Sequence, residues 1–322
     1  MKAIVLAGGY ATRLWPITRH RPKMFLPVGD ATVIDRIFTE LEADDRISEV
    51  FVSTNRRFAD HFREHLSSSR YEKLTLTVEE TTAETEKLGV VGALSQLVER
   101  EGIEEDTVVI AGDNLLSFDV SEFVDAFQSG TSPLLAVYDV GSVDRASSYG
   151  VVAVDDGEVA DFTEKPANPE SSLVSIACYG FPAEALSLLS TYLEDGNNPD
   201  EPGWFVQWLL EREAIRAFTF DEAWFDIGTP ESYLDAVAWH LEGETRVAES
   251  ATVEGTTMGE NVHVMSGAEV TDAYLTESIV FPNATIDDCE VRSSIIDRDT
   301  DLDGLQFNGA LVGAHTQISN GP

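Results

Sequence analysis

Residues 6–28 read LAGGxxTRLxPxTxxxPKxxLPV, with Gly8 and Gly9 directly after an apolar run and Arg13 and Lys23 close behind. Glycines let a backbone approach a ligand, and consecutive N–H groups in such a turn form a nest for phosphate oxygens. Arg13 and Lys23 supply the cations that a polyanion requires. A strand ending in Gly-Gly is also an ordinary tight turn, so the surroundings decide. Residues 1–29 hold no Asp or Glu but five bases: Lys2, Arg13, Arg19, Arg21 and Lys23. The whole chain has 322 residues, 58 acids, 21 lysines and arginines, and a net charge of −37. A turn has no need to exclude carboxylates, whereas a phosphate site does. The window reads as a phosphate site.

Other chemistry-bearing residues lie at strand ends. Asp113 follows the apolar run 107–111 in a Gly-Asp-Asn corner, which is equally a plain turn or a site. Asp226 stands in WFDIGTPE, where Thr229 and Pro230 mark a helix start. Lys165, in FTEKP, is one of only five lysines against sixteen arginines. His61, Glu64 and His65 fit the H-x-x-E-H pattern of inverted zinc peptidases. Phe58, Phe62 and Leu66 already define that helix's apolar stripe, so the histidines are expected on its flank.

The pattern over residues 6–28 resembles the signature of the sugar-1-phosphate nucleotidylyltransferases, also called sugar nucleotide pyrophosphorylases. The resemblance implies that Ala7, Gly8, Gly9, Ala11, Thr12, Arg13 and Lys23 hold the nucleotide. The family usually has Gly where this chain has Ala11; alanine keeps the N–H donor, and the nest is expected to survive if its φ is negative. The Asp113 and Asp226 motifs match the family's metal corner, implying a Mg²⁺ ion held by two carboxylates, phosphate oxygens and water. Lys165 corresponds to the lysine on the sugar phosphate, Glu164 to the group on sugar hydroxyls, and Gly150 to the glycine of the sugar-contacting turn. The weaker match over residues 87–93, including Lys87, Gly89 and Gly92, implies the nucleobase loop. Ala177, before Cys178 and Tyr179, replaces another family glycine next to the sugar.

The resemblance therefore implies transfer of a nucleotidyl group from an NTP to a sugar 1-phosphate, giving NDP-sugar and pyrophosphate. Glucose 1-phosphate with dTTP or UTP is the expected pair, with mannose 1-phosphate and GTP the runner-up. A regulatory subunit that kept the fold but lost turnover is a different class; the presence of Arg13, Lys23, Asp113, Lys165 and Asp226 argues against it. A nicotinamide-binding oxidoreductase lacks support, because no G-x-G-x-x-G follows the first apolar run.

The elements that must position these residues alternate up to about residue 240. Apolar runs at 3–7, 49–54, 74–78 and 107–111 read as strands, and periodic stretches at 34–41, 58–66 and 91–100 as helices. A hairpin is expected around Asp155-Asp-Gly157. This rhythm predicts an α/β, doubly wound, mostly parallel, Rossmann-like sheet with ligands at the carboxyl ends of its strands. From about residue 251 the text becomes periodic at sixteen: Val264, Val280, Ile296 and Val312; Val270, Ile286, Leu302 and Ile318; Leu275, Val291 and Phe307. Gly267, Asn283, Asp299 and His315 occupy one corner, three of them types that tolerate left-handed backbone. A three-sided coil accounts for this spacing and resembles the left-handed parallel β-helix of hexapeptide-repeat proteins, with roughly four turns. The expected division is a nucleotidyltransferase domain over 1–240, a linker over 241–250 and the β-helix over 251–322. The coil is expected to be structural, supporting assembly or shielding the catalytic domain, and the chain is expected to form a homo-oligomer.

Hydrophobic content of 43% is ordinary, so the charge signals an acidic surface rather than disorder. An acidic, lysine-poor surface suggests a halophile's salt-rich cytoplasm, and argues against nucleic acid or anionic membrane as partners. Cys178 and Cys289 fit no metal or redox spacing and are expected as free buried thiols. No stretch approaches 18 apolar residues, so a cytoplasmic protein is expected.

Overall fold

The structure, a computed structural model, describes residues 1–79 and 88–320. These divide into two compact units. One comprises Met1–Gly8 and Ile34–Trp224, the other Gly9–Val33 and Phe225–Pro322.

The first unit is built on nine strands: β1 (Lys2–Leu6), β2 (Glu49–Asn55), β3 (Leu74–Glu79), β4 (Thr107–Ala111), β5 (Leu134–Asp139), β6 (Gly150–Asp155), β7 (Glu158–Glu164), β8 (Leu173–Phe181) and β9 (Arg216–Phe220). Their order in the sheet is β3-β2-β1-β4-β8-β5-β9-β7-β6. β1, β2, β3 and β4 form a parallel run. β8 is antiparallel to both β4 and β5, while β9 is parallel to β5. β7 opposes β9 and β6. Only β7 and β8 therefore run against the rest, which bears out the mostly parallel α/β reading.

Alternation within the strands sends side chains to both faces. Ile4 of β1 joins the apolar cluster that also holds Val91, Leu94 and Leu97 of α3 (Val90–Glu101). Val5 faces the other way, toward Ile34 of α1 (Val33–Ala43), and a Cβ on Gly112 would touch both. Helices thus cover both faces, as an amphipathic stripe at 34, 37, 38 and 41 requires; those four residues are at most 3% exposed. The hairpin β6–β7 turns at Asp156 and Gly157, both with positive φ (47° and 80°), the geometry of a two-residue turn between twisted strands. Cys178 is buried and free, and burial pushes its thiol far up. The motif histidine His65, on α2 (Ala59–Ser68), is engaged at 2.7 Å with Asp35, which also accepts from the Tyr71 hydroxyl.

In the second unit the sixteen-residue periodicity becomes three parallel sheets of five, five and four short strands, a left-handed β-helix. Val264, Val280, Ile296 and Val312 stack in register, as do Val270, Ile286, Leu302 and Ile318. The first rung, Arg246–Val247 on His263–Val264, falls inside the expected linker 241–250. Gly267, Asn283, Asp299 and His315 all adopt positive φ, as expected. Two further left-handed series went unread in the sequence: Gly255, Asp272, Asp288 and Gly304, and Asn261, Glu277, Ser293 and Gly309. Cys289 is also free and buried.

Candidate active site

The turn read as a phosphate site begins where β1 ends. Ala7 is held by both backbone groups: its N–H donates to Ser53 O at 2.7 Å, and its carbonyl accepts from Thr54 Oγ1 at 3.0 Å. Asn55 Nδ2 holds the Gly8 carbonyl at 2.8 Å. These tethers fix the carbonyls and orient the turn. The acid-free window is acid-free in sequence but not in space, because a Cβ on Gly8 would meet Glu79 Oε1 at 3.0 Å. Burial raises the Glu79 pKa, favouring the neutral form beside a turn meant for anions.

Ala11 departs from expectation. Its φ is +49°, not negative, and it opens the one-turn 3₁₀ segment Thr12–Leu14. The Cβ meets a carbonyl oxygen there at a cost of about 1–2 kcal/mol, which explains why glycine is the expected residue. Leu14 N–H and Thr18 Oγ1 both bind the Ala11 carbonyl, at 3.1 and 2.8 Å, and hold the strained turn. Ala177 is different: it lies in the irregular stretch of β8 between Ser175 and Tyr179 and keeps a negative φ, so alanine fits without strain.

Within this second unit the charged candidates converge. Lys23, 8% exposed, stands 3.6 Å from Asp226 Oδ1. A Cβ on Gly228 would lie 2.9 Å from Arg13 Nη2 and 3.4 Å from Asp226 Oδ1, so Arg13 and Asp226 flank the same α-carbon. The next helix, Pro230–Leu241, is pinned by a reciprocal cap: Thr229 Oγ1 accepts from Ser232 N–H, and Ser232 Oγ accepts from the Gly228 and Thr229 N–H groups. Two cations and a carboxylate sit on rigid backbone there, which suits a triphosphate and its metal.

The first unit carries the remaining candidates. Asp113, half-buried, follows β4, and its neighbour Asn114 reaches the Ala177 carbonyl at 3.4 Å. Gly150 opens β6 and Glu164 closes β7, directly opposite one another. A Cβ on Gly150 would come within 2.8 Å of Glu164 Oε2, and one on Gly203 within 1.7 Å; both glycines make room for that carboxylate. Glu164 is 7% exposed, and its pKa is pushed up to about 7, chiefly by burial; Lys165 opposes this and Glu201 adds to it. Lys165 takes a left-handed φ of 45°, its N–H bonded to the Tyr149 carbonyl at 3.0 Å, and its ammonium pairs with Glu201 at 2.5 Å. The sequence reading missed Glu201 and Gly203, which lie more than thirty residues away. It also missed Trp224, whose buried Nε1 has no hydrogen-bond partner among the described residues and whose ring meets Tyr149 edge-on at 5.1 Å.

Gly89 has φ +78°, and a Cβ there would strike Pro199 O at 2.2 Å. The following Val90 and Val91 N–H groups donate to the Asp200 and Pro199 carbonyls, so this end of α3 is tied to backbone. Lys87 of the same motif lies outside the described residues. As metal ligands, Asp113 and Asp226 offer the hard carboxylate oxygens that Mg²⁺ prefers. Among the described residues no three His, Cys, Asp or Glu side chains gather at a metal site.

The nucleotidyl transferase family pattern matches residues 2–242. The chain is 29% identical over 235 residues to a provisionally assigned mannose-1-phosphate guanyltransferase of Sulfolobus acidocaldarius. That match covers 73% of this chain but only 61% of the relative's length. It is 26% identical over 345 residues to a glucose-1-phosphate thymidylyltransferase of Streptomyces griseus, covering 100% of this chain and 94% of that one. The structure of a provisionally assigned glucose-1-phosphate thymidylyltransferase from Bacillus anthracis is similar with a TM-score of 0.64 and 26% identity, over 74% of this chain and 95% of that one.

Proposed function

The chain belongs to the nucleotidyl transferase family, and from that premise we propose that it joins an NTP to a sugar 1-phosphate. A sugar-phosphate oxygen attacks the nucleotide α-phosphorus in line, the bond to the β-phosphate oxygen breaks, and pyrophosphate leaves with the electron pair. The turn at Gly8, Gly9, Ala11 and Thr12 receives the nucleotide phosphates, and Arg13 and Lys23 neutralise the charge that builds on the leaving pyrophosphate. Lys165 aims the sugar phosphate, while Glu164 and Gly150 meet the sugar. Gly89 serves the nucleobase side. Asp113 and Asp226 are the residues to hold Mg²⁺, which when bound supplies charge neutralisation at the α-phosphate. No covalent protein nucleophile is needed, since positioning and electrostatics carry such a reaction.

The observation that carries this reading is the gathering of Arg13 and Lys23 about Asp226: Arg13 shares the Gly228 α-carbon with it, and Lys23 stands 3.6 Å from its Oδ1. Glu164, with a pKa near neutrality, supports a group that hydrogen-bonds hydroxyls rather than one that repels a sugar phosphate. The orphaned Trp224 N–H beside Tyr149 supports a polar ligand on that side. Glucose 1-phosphate with dTTP or UTP is the favoured pair; mannose 1-phosphate with GTP is the second reading, favoured by the Sulfolobus relative. We assign catalysis to residues 1–240, the connection to 241–250, whose Arg246–Val247 already forms the first rung, and a supporting role to the coil over 251–322, in a cytoplasmic homo-oligomer. Among the described residues, no helix is long and apolar enough to cross a membrane. Pyrophosphate release across a panel of NTPs and sugar 1-phosphates, in dilute buffer and in molar KCl, tests the reading. Release that requires one of each and peaks with one pair supports it; no release with any pair at either salt contradicts it.

A further inference from the structure

The β-helix does more than trail the enzyme: it grips the segment that carries the nucleotide-binding cations. Arg21 lies two residues before Lys23, and three of its contacts leave little freedom. Its Nε donates to the Ile17 carbonyl at 3.0 Å, closing the turn that leads into Pro22 and Lys23. Its Nη2 pairs with Asp297 Oδ1, a coil carboxylate only 2% exposed. Its guanidinium also lies 4.5 Å above the ring of Phe281, one coil earlier.

Two further contacts flank this one. Pro16 packs so closely on Gly313, one coil later, that a Cβ there would approach its ring carbons at 2.9 Å. On the other side Asp30 pairs with Arg246, at the first rung. Phe281, Asp297 and Gly313 follow the rung residues Val280, Ile296 and Val312, so one face of the coil presents all three. Between these anchors stands Lys23, 3.6 Å from Asp226.

We propose that Arg21 and Asp297 are positioning residues for nucleotide binding, through which the coil sets the geometry of the Arg13–Lys23 loop. The guanidinium suits this task because its planar fork bonds the loop backbone and the coil carboxylate at once while stacking on an aromatic face. A lysine could not do all three. This inference rests on the reading of Arg13 and Lys23 as triphosphate ligands. Small displacements of such groups cost rate steeply, since productive geometry tolerates errors well below 1 Å.

The test uses the full chain with three variants and separate KM values for the two substrates. Asp297→Asn should raise the NTP KM at least tenfold while the sugar 1-phosphate KM moves less than twofold. Arg21→Lys, which keeps the charge but loses the fork, should do the same. Arg21→Met combined with Asp297→Leu replaces the buried pair by apolar side chains, an exchange that often leaves stability intact or improved. Its melting temperature should match the parent, yet its NTP KM should stay raised, which separates positioning from mere support of the fold. Wild-type NTP KM in Asp297→Asn, or recovery of both melting temperature and KM in the double variant, would overturn the inference and leave the proposed reaction standing. Absence of pyrophosphate release by the parent chain would overturn the reaction, and the inference with it.

Discussion

In the loop region Lys23 is 8% exposed and stands 3.6 Å from Asp226, whereas at the end of the hairpin Lys165 is exposed and paired at 2.5 Å with Glu201. On the proposed reading both regions offer a cation to a phosphate. The first offers it on backbone that the coil holds through Arg21, in surroundings that screen poorly. The second offers it on an exposed side chain whose pairing with Glu201 is worth little in water, so on the same reading a phosphate would take the place of Glu201. The difference teaches where each region invests its order. Charge that develops during reaction needs donors already in place, while a substrate that only needs to be held can be met by a side chain that swings.

The largest effect that would sharpen this contrast is on Lys23. Lys23→Ala should lower kcat/KM for the NTP by about a thousandfold, on the scale of losing one preorganised donor. Lys165→Ala should instead raise the sugar 1-phosphate KM by roughly tenfold, the scale of a partly screened charge contact, with little change in the NTP KM. Steady-state kinetics with each substrate varied in turn decides it. If both variants lose the same substrate, the two regions do not divide the labour.

Glu164 supplies the next effect. Its pKa rises from 4.5 to about 7 on folding. The folded state then binds the proton more tightly than the unfolded chain, so stability falls as pH rises between those values, and the penalty is complete above 7. At one pKa unit per 1.36 kcal/mol the penalty is about 3 kcal/mol. Glu164→Gln should therefore be more stable than the parent at pH 8 by up to that amount, with the advantage gone below pH 4.5. Denaturant titrations at both pH values measure it, and a pH-independent difference would remove the buried-carboxyl argument.

The smallest effect belongs to Ala11. At φ +49° a glycine is free of the Cβ clash but loses more chain entropy on folding. Ala11→Gly should thus gain at most about 1 kcal/mol. A clear loss of stability would mean that the methyl group packs usefully.

The coil was the most legible part of the molecule. Its inward residues recur every sixteen positions because each stacks on its own counterpart, as Val264, Val280 and Ile296 do. Two of its three corner series were missed although Gly255, Asp272, Asp288, Gly304, Asn261 and Gly309 are types that tolerate left-handed backbone; Glu277 and Ser293, which are not, interrupt one of them. In the sheet β1 to β4 and the β6–β7 hairpin were readable from local apolar runs and turn residues, but β5 and β9 were not, nor was the order: β8 joins β4 to β5 across many intervening residues. The site shows the same limit. Gly8, Arg13 and Lys23 share one short window, and their spacing carries the pattern. Arg21 and Asp297 are 276 residues apart, and nothing local links them. Glu201, which answers Lys165, is 36 residues away on the N-terminal side of a helix that the sequence reading did not place.

The proposed reaction requires Asp113 and Asp226, each at a strand end, for Mg²⁺-dependent nucleotidyl transfer. Pyrophosphate release measured as a function of Mg²⁺ in the parent chain, Asp113→Asn and Asp226→Asn tests it most directly. Each variant should keep the parent's circular dichroism and lose several kcal/mol of transition-state stabilisation, about a thousandfold or more in rate, at any Mg²⁺ concentration. Near-parental rates in either variant at limiting Mg²⁺, or release that ignores chelation in the parent, would contradict it.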